Sequence, residues 1–187
     1  WWMGLAFPFE HAPSEAASLG VPAHLLDAAW QRINHADVPT IYPPATQLVF
    51  ALAGGIGEIA GGGHLVLLKG VIVLADLATF WVCRATLGRL GLHRSIALAW
   101  LLCPLVVFEF AREGHADSVS TLGIALGLYG LARARFDIAH GGFAWAALAK
   151  LHGLVALAIS LSVSRRGAAI GVIVLSCFAI PLALDGP

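Results

Sequence analysis

The chain has 187 residues, of which 59% are hydrophobic and 12% are charged, and its formal net charge at pH 7 is zero. Its mean hydropathy of +0.84 and its low charge content exclude an ordinary soluble domain, in which about a quarter of the residues are charged. The composition therefore predicts an all-α, polytopic integral membrane protein in a lipid bilayer. No basic patch with interleaved aromatic residues is present, so nucleic acid is not a predicted partner.

The two ends of the sequence do not resemble natural termini. The chain opens on Trp1, Trp2 and Met3 without a basic segment followed by a long apolar core, and it closes just after a hydrophobic run. We therefore expect an internal fragment of a longer protein. Its predicted parts are an extracytoplasmic loop over residues 1–44 and a transmembrane helical domain over residues 45–187.

The loop contains two recognisable segments. Residues 24–33 place Trp30 and several apolar side chains on one face, which predicts a short interfacial helix or, alternatively, an ordinary surface helix. Residues 34–44 are polar and contain three prolines, whose fixed φ angles stiffen the backbone. We call residues 34–44 the proline ledge, and expect it to hold His35, Asp37 and Tyr42 in place.

The remainder of the chain is predicted to be helical and apolar. Residues 45–60 make a segment of 16 residues that glycines interrupt. A membrane crossing needs roughly 20 residues, so this segment is predicted to be a re-entrant or interfacial helix. About five spans are expected to follow, namely Leu65–Cys83, Ser95–Ala111, Ser118–Ala132, Gly141–Val163 and Ala168–Leu184.

Arginine positions predict the orientation of these spans. Arginines collect in the connections after the first and third spans, and lysine and arginine are enriched on the cytoplasmic side of membrane proteins. The loop over residues 112–117 then lies on the extracytoplasmic side. If residues 45–60 do not cross the membrane, the proline ledge lies on that side too; if they do cross, the ledge and the loop are separated.

Charged residues inside the predicted spans are a further indication of a site. Burying a charge in hydrocarbon costs a few kcal/mol on insertion scales, and such residues usually mark a cavity or a substrate path. For Lys69, Glu109 and Arg112, there is an equally good explanation without a functional role: the side chain extends from the span to the membrane–water interface. Asp76 and Lys150 lie deeper, which favours a functional role.

Four motifs follow one another along the chain. They are Pro39-Thr-Ile-Tyr-Pro-Pro44, Trp100-Leu-Leu-Cys-Pro-Leu-Val-Val-Phe-Glu109, Gly114-His-Ala-Asp117 and Lys150 in a later span. In this order they resemble the motifs of the bacterial polyprenol-phosphate-sugar-dependent mannosyltransferases of the GT-C glycosyltransferase superfamily. The resemblance implies a GT-C-like fold and a transferase that moves a hexose, mannose above all, from a polyprenyl-phosphate-linked donor to a glycan or glycolipid acceptor. It also implies an active site on the extracytoplasmic face of the bacterial plasma membrane.

The sequence also departs from that family. Its members usually carry a catalytic Asp in the first extracytoplasmic loop, which here is expected upstream of Trp1. Cys103 and Ala116 stand where Asn is common, and Gly153 stands where a Pro often follows the lysine.

Glycosyl transfer requires a base for the attacking hydroxyl and positive charge for the leaving phosphate. The candidate catalytic residues are Asp37, His115 and Asp117, with His35 as a further candidate base. By resemblance, Lys69 contacts the phosphate, Asp117 and His115 lie at the sugar or its acceptor, and Lys150 forms a polar wall. The candidate substrate-binding residues are His35, Tyr42, Lys69, Glu109, Arg112 and Lys150.

Alternative interpretations remain for this site. Asp117 is also suited to be the N-cap of the span that begins at Ser118. No cofactor is predicted; a divalent metal at His115 and Asp117 would need a further ligand, which His35 or Asp37 could supply only if the two surfaces meet.

Two other functions stay open. Lys69, Asp76, Lys150 and His152 could line the path of a membrane transporter, although the sequence shows no pair of matched, broken helical segments. A non-catalytic membrane module of a polysaccharide or lipid assembly system is the third option.

Overall fold

The computed structural model describes residues 9–26 and 30–161, together with residues 167, 169, 170, 172–174 and 176. These described residues form helices, turns and loops without strands, which confirms the predicted all-α class for this part of the chain. The predicted fifth span, Ala168–Leu184, lies largely outside the described residues. The helices are α1 (Pro44–Ile59), α2 (His64–Arg89), α3 (Leu98–Leu101), a π-helical segment (Val106–Arg112), α4 (Asp117–Ala132), α5 (Phe136–Ala149) and α6 (Gly153–Leu161).

The segment before α1 is built from short 3₁₀ turns. Two of them, Ala23–Leu25 and Trp30–Arg32, occupy the region for which a single helix over residues 24–33 was predicted. That prediction is wrong for the described residues, because Leu26 has φ −91° and ψ 48° and so ends the first turn. The proline ledge is extended or turned, and α1 begins at Pro44, whose fixed φ suits the first turn of a helix.

Helix α2 is the one helix of the described residues that is by itself long and apolar enough to cross a membrane. It has 26 residues, which correspond to about 39 Å, and the mean hydropathy of its 18-residue apolar window is 2.1. Among the described residues, a second crossing results only if α3, with the 3₁₀ turn before it, and the π-helical segment count together as one bent span. The structure therefore does not confirm five spans, and the polytopic arrangement remains a prediction.

The prediction of one continuous helix over Ser95–Ala111 is wrong, because the chain bends by 60° within it. A 3₁₀ turn, Arg94–Ala97, leads into the four-residue α3, and the helical path is interrupted at Cys103 before it resumes. Pro104 explains the break, since proline lacks a backbone N–H and its ring clashes with the preceding turn.

The predicted span Gly141–Val163 is also wrong, because it is a hairpin of two helices. Lys150 has φ −157° and ψ 143°, so α5 ends there and α6 begins at Gly153. A methyl group on Gly153 would lie 2.3 Å from the Ala146 carbonyl carbon, which shows how closely α6 returns along α5. Lys150 therefore lies in a turn at the end of α5 and not in the middle of a helix.

Helices α4 and α5 pack backbone to backbone through glycines. A methyl group on Gly123 would lie 2.8 Å from the Gly142 oxygen, and one on Gly142 would lie 2.5 Å from the Gly127 nitrogen. Small residues spaced four apart permit this close approach between helices. The packing brings the first residue of α4 next to the last residues of α5.

Candidate active site

A cavity of about 140 Å³ lies where four parts of the chain meet. These parts are the end of the proline ledge, the first turn of α1, the loop before α4 and the turn after α5. The cavity therefore joins the end of the proline ledge to the Gly114–Asp117 motif. Its lining residues are Tyr42, Thr46, His115, Ala116, Asp117, Ala149 and Lys150.

An ion pair between Lys150 and Asp117 forms one wall of the cavity. Lys150 Nζ donates a hydrogen bond to Asp117 Oδ1, and the two side chains are 47% and 25% exposed. Asp117 is the first residue of α4, and the N-cap position before it belongs to Ala116, which makes no side-chain capping bond. The interpretation of Asp117 as the N-cap is therefore wrong. Its carboxylate still lies in the first turn of α4, at the positive end of the helix dipole.

Helix α1 is fastened to the turn that carries Lys150. The Thr46 hydroxyl donates a buried hydrogen bond of 2.7 Å to the Ala149 carbonyl oxygen. The last carbonyls of a helix lack partners within it, so this bond satisfies one that would otherwise be orphaned. Thr46 thereby fixes the position of the neighbouring lysine.

A histidine and a glutamate form the second polar pair. His115 Nδ1 lies 3.2 Å from Glu109 Oε2, and both side chains are about half exposed. The His115 backbone N–H also donates to the Glu109 carbonyl oxygen at 3.2 Å. A carboxylate at Nδ1 orients the ring and leaves Nε2 as the nitrogen available to a substrate.

Positive charge lies beside this pair. Lys69 Nζ donates a hydrogen bond of 2.5 Å to the Arg112 carbonyl oxygen. The lysine stem also contacts the loop, since a methyl group on Gly114 would lie 3.4 Å from Lys69 Cε. The Arg112 guanidinium lies 3.5 Å from Glu113 and is largely exposed. Lys69 of α2 therefore reaches the loop that leads into His115.

The proline ledge contributes less than predicted. His35 and Asp37 are exposed and do not line the cavity, whereas Tyr42 does. Gln47 Nε2 donates to the Tyr42 carbonyl oxygen at 3.3 Å, and the Tyr42 ring meets Phe50 edge to face at 5.2 Å between centroids. These contacts hold the end of the ledge on α1.

A metal centre receives no support from this arrangement. Within the residues that the structure describes, no three His, Cys, Asp or Glu side chains are grouped as metal ligands. His35 and Asp37 do not complete a ligand set with His115 and Asp117.

Sequence reasoning missed Thr46, which is 1% exposed. The available signal was a pair of polar residues, Thr46 and Gln47, at the start of an otherwise apolar segment. Both are buried and hydrogen-bonded, as buried polar groups generally are.

No protein-family model, curated protein or solved structure matches this chain. The functional argument therefore depends on the geometry of the cavity and on the motifs that surround it.

Proposed function

We propose that this chain is part of a membrane glycosyltransferase that moves a hexose, mannose above all, from a polyprenyl-phosphate donor to a glycan or glycolipid acceptor. The observation that carries the proposal is the convergence of Tyr42, His115, Asp117 and Lys150 on one cavity. These residues lie in separate sequence motifs, each of which supplied a candidate residue for glycosyl transfer.

The reaction needs a proton acceptor, and His115 is suited to that role. The acceptor hydroxyl attacks the anomeric carbon of the donor, the bond from that carbon to the phosphate oxygen breaks, and the lipid phosphate leaves as an anion. The hydroxyl proton passes to the base, for which Nε2 of a histidine oriented by Glu109 is available. Asp117 and Lys150 are suited to bind the sugar hydroxyls, as acceptor and donor of hydrogen bonds.

The leaving phosphate requires fixed positive charge, and Lys69 and Arg112 can supply it. Both belong to the contact between α2 and the loop before His115. Charge-assisted hydrogen bonds to phosphate are roughly twice as strong as neutral ones, and they need no reorganisation when the donors are already in place.

The position of α1 supports a site on one side of the membrane. Tyr42, just before α1, and Thr46, in its first turn, line the cavity together with His115 of the loop before α4. Helix α1 has 16 residues and is about 24 Å long, which is shorter than the roughly 30 Å of hydrocarbon that a spanning helix crosses. These two features favour a non-crossing α1 and a site on the extracytoplasmic face.

The direct test is transfer of radiolabelled mannose from polyprenyl-phosphate mannose by the full-length protein in liposomes. Lys69→Gln should raise the KM for the donor about tenfold and leave the KM for the acceptor within about twofold, because a single charge-assisted bond to the phosphate is lost. Arg135→Gln is the matched control, since that guanidinium is exposed and bonded to Asp137. Wild-type protein without transfer activity, on a panel of polyprenyl-phosphate hexoses, would overturn the proposal.

A transporter is the second candidate, and one observation favours it. Asp76 lies in α2, is 5% exposed, and its carboxylate has no polar neighbour within the described residues except the Trp100 indole N–H, whose approach does not reach hydrogen-bond geometry. Unpaired carboxylates in a membrane helix often belong to ion or proton paths. Asp76→Asn distinguishes the two functions: it should leave glycosyl transfer unchanged if the enzyme proposal is right, and should abolish solute flux if the protein is a transporter.

A further inference from the structure

A second cavity, of about 470 Å³, lies at the opposite end of α2 from the candidate active site. Lys69 and Arg84 are 15 positions apart on one helix, which places the two sites about 22 Å apart along its axis. The second cavity lies between the ends of α2 and α4 and includes the turn after α2. Its lining residues are Trp81, Arg84, Ala85, Gly88, Arg89, Arg94, Tyr129 and Arg133.

Four guanidinium groups surround this cavity, and no carboxylate lines it. Within the described residues, none of these four arginines forms an ion pair with an Asp or Glu side chain. Asp137, the acidic residue in the first turn of α5, follows Arg133 closely in the sequence. Its carboxylate already accepts hydrogen bonds of 2.8 Å and 3.1 Å from Arg135. Four like charges around one cavity repel each other, so an anion between them would be strongly favoured.

The guanidinium groups are held by contacts that leave their charge uncompensated. Arg84 lies over the Trp81 ring at 6.0 Å, and Arg133 lies over the Tyr129 ring at 5.5 Å. Cation–π contacts of this kind fix an arginine without neutralising it. The Arg133 guanidinium also donates to the Tyr129 hydroxyl at 3.0 Å.

Gly88 makes room for the third arginine. A methyl group at this position would lie 2.4 Å from Arg94 Nε, so the guanidinium rests directly on the backbone of α2. The obstructing atoms belong to the end of a flexible side chain, so a larger residue at Gly88 would displace Arg94 and leave the helix intact.

We propose that this cavity is a binding site for a phosphate ester. Arginine is suited to this ligand because its planar fork donates two parallel hydrogen bonds to phosphate oxygens. The helix dipole explains arginines in the last turn of a helix, such as Arg89, and the enrichment of arginine on the cytoplasmic side of membrane proteins explains their number. Neither effect explains why four arginines without an acidic partner among the described residues line one cavity. Trp81 is 63% exposed and Leu128 is 51% exposed at the same end of the helices, so an ester with an apolar chain would also find contacts there. An anionic phospholipid and a soluble phosphate ester share the recognised chemistry.

The test measures binding of two probes to the full-length protein purified in dodecyl maltoside. The probes are dioctanoyl phosphatidic acid and glycerol 3-phosphate, which carry the same phosphomonoester with and without acyl chains. We expect Arg84→Gln and Arg94→Gln each to raise the Kd at least about tenfold, as the loss of a charge-assisted bond predicts. Arg135→Gln removes the same charge outside the cavity and should change the Kd less than about twofold.

Gly88→Val keeps all four charges and should weaken binding about as much as Arg94→Gln, because it displaces that guanidinium. Size-exclusion profiles confirm that each variant is folded. Binding of the lipid without competition by glycerol 3-phosphate assigns the site to a lipid headgroup, and comparable affinity for both assigns it to a soluble ester. The proposal is overturned if neither probe binds, if Arg84→Gln and Arg94→Gln bind like the wild type, or if Arg135→Gln loses as much affinity as they do.

Discussion

Lys150 and Asp117 are 33 positions apart in the chain and form an ion pair at the end of the α4–α5 packing. The pair exists because α5 ends at Lys150 and α4 begins at Asp117, and because glycines let the two helices approach closely. It lies in the wall of the cavity that also contains His115.

The ion pair should matter for transfer and little for stability. We expect Asp117→Asn and Lys150→Gln each to lower kcat/KM for glycosyl transfer at least about tenfold, because each removes a polar contact to the sugar. Both side chains are partly exposed, so each change should reduce the free energy of unfolding by no more than about 1 kcal/mol. The double variant should lose less activity than the sum of the two changes predicts, since the residues share one interaction. Strict additivity in steady-state kinetics would contradict a joint role.

Substitution of His115 and substitution of Glu109 should lower kcat by different amounts. His115→Gln removes the base and should lower kcat by about 10²-fold to 10⁴-fold. Glu109→Gln keeps the imidazole and removes only the carboxylate that orients it, so a smaller loss of about tenfold is expected. Both values are measured at saturating donor and acceptor. A larger loss for Glu109→Gln than for His115→Gln would instead assign the base to Glu109.

Two neighbouring glycines should respond oppositely to alanine. A methyl group on Gly142 would lie 2.5 Å and 2.7 Å from backbone atoms of Gly127 and Gly123, which cannot move independently, so Gly142→Ala should destabilise the fold by about 1–3 kcal/mol. Gly141 has no atom within 4 Å of that position, and Gly141→Ala should stabilise the helix by up to about 1 kcal/mol. Thermal unfolding in detergent compares the two variants. Equal effects would show that α4 and α5 do not pack as described.

Cysteine labelling in intact cells tests the membrane arrangement. In a full-length protein without its native cysteines, Ile41→Cys and Glu113→Cys should both react with an impermeant maleimide, because both positions are exposed and the proposed arrangement puts both on the extracytoplasmic side. Leu90→Cys, exposed at the other end of α2, should react only after the membrane is permeabilised. Labelling of Ile41→Cys and Glu113→Cys from opposite sides would separate the proline ledge from the loop before α4 and would leave the candidate site without a common face.

The local sequence predicted α1 and α4 closely, and it predicted α2 except for its last six residues. A continuous apolar run bounded by glycines or charged residues is sufficient for that, because helix formation depends mainly on neighbours within a few positions. The break at Cys103 follows from Pro104, a residue with a known local effect, although one helical span over Ser95–Ala111 was predicted. The motif residues Tyr42, His115 and Asp117 were also selected from local patterns.

The turn at Lys150 could not be predicted in the same way. Residues 141–163 are apolar enough for one long helix, and no proline interrupts them. The hairpin forms because Gly153 can pack on the Ala146 backbone. A preference for that contact over an extended helix depends on the surrounding helices and is not visible in the periodicity of the segment.

The sequence by itself determined the helical class, the apolar character of the chain, and the set of polar residues from which a site could be built. Only the tertiary structure decided which of them meet: Tyr42 and not His35 or Asp37, and Lys150 paired with Asp117. The physical reason is that hydropathy and proline act over a few residues, whereas the close packing of α4 on α5 depends on glycines and backbone atoms that lie far apart in the chain.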